Sequence, residues 1–131
     1  MKYILVIASA FFATSIANSG AVAQEMICSI SEAQACVPFE GCKRVAPREL
    51  NVPTMMRVDL AKREMVSASM LDKGRKETIE GVKELETAYY MHGQQEERSW
   101  SAALSKQDGI LSVNISGVGE SFVLFGQCAT N

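Results

Sequence analysis

RSWSAALSKQDGILSVNISGVGESFVLFGQC, residues 98–128, decides the fold. From Arg98 to Ser105, Trp100, Ala102 and Leu104 alternate with Ser99, Ser101 and Ala103. From Ile110 to Ser116, Leu111, Val113 and Ile115 alternate with Ser112, Asn114 and Ser116. A period of two places one set on each face of a half-buried strand. Ser105-Lys106-Gln107-Asp108-Gly109 joins the first two runs and supplies a glycine for a left-handed position. Gly117-Val118-Gly119 then turns the chain into Glu120–Cys128, where Phe122, Leu124, Gly126 and Cys128 share a face. Three strands with short polar turns form an antiparallel meander.

Upstream the same pattern continues in shorter pieces. Met56, Val58 and Leu60 alternate with Arg57 and Asp59. Val66, Ala68 and Met70 share a face, and residues 71–76 (LDKGRK) form a polar turn. Residues 77–80 add a short strand. A long strand is expected from Val82 to Met91, with Leu85, Thr87, Tyr89 and Met91 on one side and His92–Gln95 as the next turn. Glu25–Ala35 reads as a strand that passes into a short helical turn. Val37–Pro53 contains all three prolines and reads as loop. The expectation is an all-β domain, a small antiparallel meander of seven or eight strands. A closed barrel is favoured over a sandwich.

At the other end of the chain, MKYILVIASAFFATSIANSGAVA (residues 1–23) has a lysine, an apolar run and an A-x-A exit at Ala21-Val22-Ala23. That is the pattern of a secretory signal peptide. The run is shorter than the roughly 20 residues a membrane span needs, and no small-residue box directly precedes Cys28, as lipid attachment would require. Cleavage after Ala23 leaves one domain, residues 24–131, in the periplasm or outside the cell, with no membrane anchor. Of 13 basic residues only Lys2 is lost, leaving 12 against 15 acidic. That balance excludes the basic excess of a nucleic-acid binder.

Four cysteines, Cys28, Cys36, Cys42 and Cys128, remain in the exported chain. An even count in a small exported domain favours disulfides. Three pairings exist, and Cys36–Cys42 with Cys28–Cys128 is preferred over the swapped pair, Cys36–Cys128 with Cys28–Cys42. Loop closure assigns roughly 2.4 kcal/mol to the local bridge and about 4.7 kcal/mol to the long one. No C-x2-C pair exists, so neither a zinc site nor a redox-active dithiol is indicated.

Catalytic motifs are absent from the sequence. There is one histidine, His92, beside a glycine, and no G-x-S-x-G. Glu84 and Glu86, two apart on a strand, would lie about 6.5–7 Å apart, a spacing near that of a glycosidase pair. Alternating glutamates more often mark a solvated face. No phosphate loop or dinucleotide fingerprint occurs, and no cofactor is expected. The chain reads as a non-enzyme.

The densest basic patch is Lys73-Gly74-Arg75-Lys76, either a solvated turn or a protruding loop that enters an acidic cleft. Lys73, Arg75, Lys76 and Lys106 are the candidate partner contacts. Trp100, Tyr89 and Tyr90 make either a ligand surface or core. A cavity lined by Trp100, Tyr89 and Phe122 would make the domain a carrier of a small ligand instead.

The signal peptide, CSISEAQAC…GC, the strand-turn-strand SWSAALSKQDGILSV and the final FGQC together resemble small periplasmic β-barrel proteins of alphaproteobacteria. Some of these are similar to inhibitors of lysozyme and other peptidoglycan hydrolases. The resemblance implies a compact barrel that plugs an enzyme cleft with a loop. The S-G-x-x-Y segment of the C-type lysozyme inhibitors has no counterpart, because Ser116-Gly117 is followed by Val118-Gly119-Glu120. No inhibitory residue of that family is therefore carried over.

Overall fold

The computed structural model describes residues 25–71 and 73–130. The expected signal peptide lies outside them. Ten strands follow one another: β1 (Glu25–Val37), β2 (Gly41–Val45), β3 (Met55–Asp59), β4 (Glu64–Ser67), β5 (Lys76–Thr78), β6 (Gly81–Glu84), β7 (Ala88–Gln95), β8 (Arg98–Ser105), β9 (Ile110–Gly117) and β10 (Glu120–Thr130). A 3-10 helix, Pro47–Leu50, links β2 to β3. Proline at its start needs no donated hydrogen bond there, and Asn51 ends it in a left-handed conformation. The described residues are otherwise strands and turns, and among them no helix is long and apolar enough to cross a membrane.

All strand pairings are antiparallel, in the order β5-β4-β3-β1-β10-β9-β8-β7-β6, with β2 attached to β1. β1 is long enough, at 13 residues, to serve two partners on one edge. Its first part pairs with β3 (Ser29 opposite Met55), and its last part pairs with β2 (Cys36 opposite Cys42). Its other edge pairs with β10 throughout, with a register shift between Ile30 and Glu32. Such a bulge bends the strand and increases local twist, and the sheet curls into a half-barrel.

The sheet is open, which corrects the expected closed barrel. β5 and β6 are the two margins of the order and share no ladder. They are consecutive in the chain, separated only by Ile79 and Glu80. The Ile79 N–H donates to Arg63 O on one side of the seam, and the Glu80 N–H donates to His92 O on the other, both at 2.9 Å. The chain therefore crosses from one margin to the other as a single strand-like segment. Ile79, at 1% exposure, fills the gap.

The strand count is ten rather than seven or eight, for two reasons. β2 (GCKRV) is exposed along nearly its whole length and carries no alternation to read. The long strand expected over Val82–Met91 breaks at residues 85–87, where the Leu85 N–H donates to Ala88 O. His92–Gln95 belongs to β7 instead of a turn, and the reversal falls at Glu96-Glu97. Gly93 stands in mid-strand because Trp100 lies on it: a Cβ there would meet the indole Cζ2 at 2.6 Å. Glycine inside a strand often marks such a close approach.

The concave face is the core. Met26, Cys28, Ile30, Val58, Met91, Trp100, Leu104, Leu111 and Leu124 are all buried there. On β4 the inward residues are Met65 and Ser67, so Val66 takes the outer face. Ser67 is buried with its hydroxyl 3.1 Å from that of Ser69. Disulfides join Cys28 to Cys128 and Cys36 to Cys42, and each pair lies directly opposite across a ladder. No cysteine is free. Both bridges fit an oxidising compartment.

Candidate functional site

In a meander, successive turns alternate between ends of the sheet. The upper end is defined by the β1–β2 turn. Ladder register places the β4–β5 loop, the β7–β8 turn and the β9–β10 turn beside it. The β3–β4, β6–β7 and β8–β9 turns lie at the lower end with Glu25 and Thr130.

This alternation separates the four candidate contacts. Lys73, Arg75 and Lys76 belong to the upper β4–β5 loop. Lys106 lies in the β8–β9 turn at the opposite end. Its ammonium is 2.6 Å from the Glu84 carboxylate and 4.6 Å from the centre of the Tyr89 ring. That partnership holds the Glu84 carboxyl below its ordinary range, through the hydrogen bond first and charge second. Glu86 lies in the β6–β7 connection, so the two glutamates do not share a strand face.

Arg75 is also engaged. Its Nε donates to Glu77 Oε1 at 3.1 Å, Nη1 to Asn51 Oδ1 at 3.2 Å and Nη2 to Asn51 O at 3.1 Å. It ties the β4–β5 loop to the end of the 3-10 helix. Lys73 and Lys76 are exposed and form no ion pair with a described residue. The loop is tight: the Gly74 N–H donates to Ser67 O and the Ser67 N–H to Arg75 O. Gly74 takes a φ of 86°, which only glycine adopts freely.

The upper end carries a signal that the sequence pattern did not reveal. Phe39, Met70, Leu71 and Val118 are each at least 88% exposed, and all four sit on upper loops. Isolated exposed apolar residues are ordinary; here four of them stand on the loops of one end. Phe39 is itself held at φ 66°, in the turn between the cysteines of the short bridge.

Arg98 fastens the 3-10 helix to this end. Its Nε donates to Glu120 Oε1 at 2.8 Å, its Nη1 donates to Leu50 O at 3.2 Å, and its guanidinium lies 4.8 Å from the Phe122 ring centre.

Beneath the upper loops the half-barrel holds an apolar hollow of about 80 Å³. Trp100, Met56, Met65 and Met91 line it, while Tyr89 and Phe122 do not. Tyr90 is outside, on the convex face, so the three aromatic residues form no common surface. His92 is exposed on the outer face of β7, with its Nε2 against the Gly81 backbone. Among the described residues no three His, Cys, Asp or Glu side chains converge as a metal site would need. Comparison with protein-family models, with curated proteins and with solved structures finds no match for this chain.

Proposed function

We propose that this chain is a non-enzymatic binding protein, exported to the periplasm or beyond, whose target is another protein with an acidic cleft. A lysozyme-type peptidoglycan hydrolase is the most concrete case. One observation carries the reading: the β4–β5 loop presents Met70 and Leu71, almost fully exposed, beside Lys73 and Lys76, which are unpaired among the described residues. An apolar tip gains by leaving water, at roughly 25 cal/mol per Å². Lysines beside it suit an acidic wall.

The chemistry of a muramidase makes such a loop effective in two ways. The loop occupies space that the polysaccharide needs. A lysine beside the catalytic pair also favours the ionised form of a carboxyl, whereas the general acid must keep its proton. Lys73 and Lys76 are the contacts this mechanism uses. Arg75 holds the loop in shape, and Lys106 lies too far round the domain to take part.

Purified residues 24–131 mixed with lysozyme should slow the lysis of cell-wall suspensions. Met70→Asp with Lys73→Glu should abolish the slowing without changing the fold. No slowing at high molar excess against several lysozyme types would overturn the proposal.

A further inference from the structure

We propose that the hollow inside the half-barrel binds a slender, uncharged aliphatic compound carrying one neutral polar group. The hollow lies apart from the exposed tip of the β4–β5 loop, Met70, Leu71, Lys73 and Lys76, and shares with that loop Ser67 and Arg75 at its base. The body of the hollow is apolar, walled by Met56, Met65, Met91, Trp100, Leu104 and Val113. Its polar lining consists of Ser67, Arg75, Glu77 and Gln95. Ser67, Arg75 and Gln95 adjoin the upper loops, and Glu77 is bonded to Arg75. Ligand sites commonly have this composition, an apolar body with a few converging polar groups.

Size and charge narrow the ligand. At about 80 Å³ the space is well below the roughly 300 Å³ at which drug-sized pockets begin. It is about half the ~150 Å³ of an apolar cavity known to take benzene. Three methionines in the wall extend that limit, because an unbranched thioether shifts easily between conformers. A short alkyl chain enters as these methionines move aside, whereas a fused ring system needs more room than such shifts release. At the polar side Arg75 and Glu77 already neutralise each other at 3.1 Å. A charged head would have to break that pair or enter unpaired, and burying an unpaired charge is costly. A hydroxyl or amide can donate to Glu77 or Gln95 and accept from Arg75 or Gln95 without disturbing it.

Trp100 makes the test direct, because it is the chain's one tryptophan and stands in the wall. Residues 24–131, with both bridges intact, are titrated with 1-hexanol and separately with hexanoate while Trp100 emission is followed. The expected result is a saturable change with 1-hexanol and at least about tenfold weaker binding of hexanoate. Ala102→Met puts side-chain volume into the hollow and should weaken 1-hexanol binding by about tenfold or more. Met65→Ala enlarges the hollow; it should keep 1-hexanol binding and extend it to 1-octanol, which serves if the filled variant does not fold. The absence of any saturable response to 1-hexanol in the unaltered chain, or unchanged binding in folded Ala102→Met, would overturn the site. Equal binding of hexanoate would overturn the assignment of a neutral head.

Discussion

Two double variants set the two bridges against each other: Cys28→Ala with Cys128→Ala, and Cys36→Ala with Cys42→Ala. The long bridge joins residues 100 apart in sequence, and the short one joins residues 6 apart. Restricting the unfolded chain is worth about 4.7 kcal/mol for the first and about 2.4 kcal/mol for the second. Burial adds to the difference. Cys28 and Cys128 are 1% and 7% exposed, so removing two sulfurs also leaves a small void, at about 1 kcal/mol. Cys42 is exposed on its hairpin, and its loss opens no void. The core variant should therefore lose about 3 kcal/mol more than the hairpin variant. Against a total of about 5–15 kcal/mol for a domain, that is a large share. Urea unfolding at 25 °C, followed by Trp100 emission, reads the difference. With a slope of about 1–3 kcal/mol per molar urea, the midpoints should differ by about 1–3 M. The slope itself should rise in the core variant, since its unfolded chain is less compact. Free energies extrapolated to water are thus the fair comparison. Equal stabilities, or a hairpin variant that is the weaker of the two, would refute the loop-closure reasoning.

Gly93→Ala should destabilise the domain by about 1–3 kcal/mol, because its Cβ would press on the Trp100 ring at 2.6 Å and on Thr78 O at 2.8 Å. A shifted Trp100 emission should accompany the fall in urea midpoint, and an unaltered spectrum would count against the contact. Lys106→Met should move the Glu84 carboxyl upward toward its ordinary range, as NMR titration of that side chain will show. The sign follows from the depressed folded value: in the unaltered chain the Glu84–Lys106 pair stabilises above the ordinary carboxylate range and is lost as pH falls through the lowered value. Asp108, held down first by the Ser105 hydroxyl, behaves in the same direction, so Ser105→Ala should raise its titration midpoint. Arg98→Ala removes the bonds to Glu120 and Leu50 O together and should cost about 1–3 kcal/mol. Faster amide exchange at Asn51 and Val52 would show that the 3-10 helix has come loose.

Strands β8 and β9 are plain in the sequence because one face is core and the other is mostly serine and asparagine; β10 keeps Phe122, Leu124 and Cys128 inward although Val123 and Phe125 share its outer face with Ser121 and Gln127. Burial makes the alternation, so alternation reports burial. β2 is bare of that signal: both its faces meet solvent, and it exists because β1 runs far enough to offer it an edge. Gly93 misleads for a related reason. A glycine beside a histidine reads as a turn, whereas here it makes room for the Trp100 ring directly opposite on the neighbouring strand. The faces of β4 were obscured by Ser67, a buried hydroxyl in a position where a hydrophobic residue would be expected. The separation of Lys106 from Lys73 follows from counting turns in a meander, and only the break at residues 85–87, which creates an extra reversal, hides the parity. The apolar side chains at the upper end were individually visible, but nothing local says that residues 39, 70, 71 and 118 share one end. That is a property of register, and register is a long-range quantity.

The seam at Ile79-Glu80 has a consequence for how copies of this protein meet one another. An unsatisfied strand margin is a template on which a neighbouring molecule can add its own backbone, the first step toward fibrils. Here the two margins are successive stretches of one chain, three and four residues long. Each carries a lysine, Lys76 and Lys83, and the third free margin, on β2, carries Lys43 and Arg44. An incoming strand would find a short foothold and a positive charge at each place, so a sheet that stops short of closure is nonetheless guarded against polymerisation.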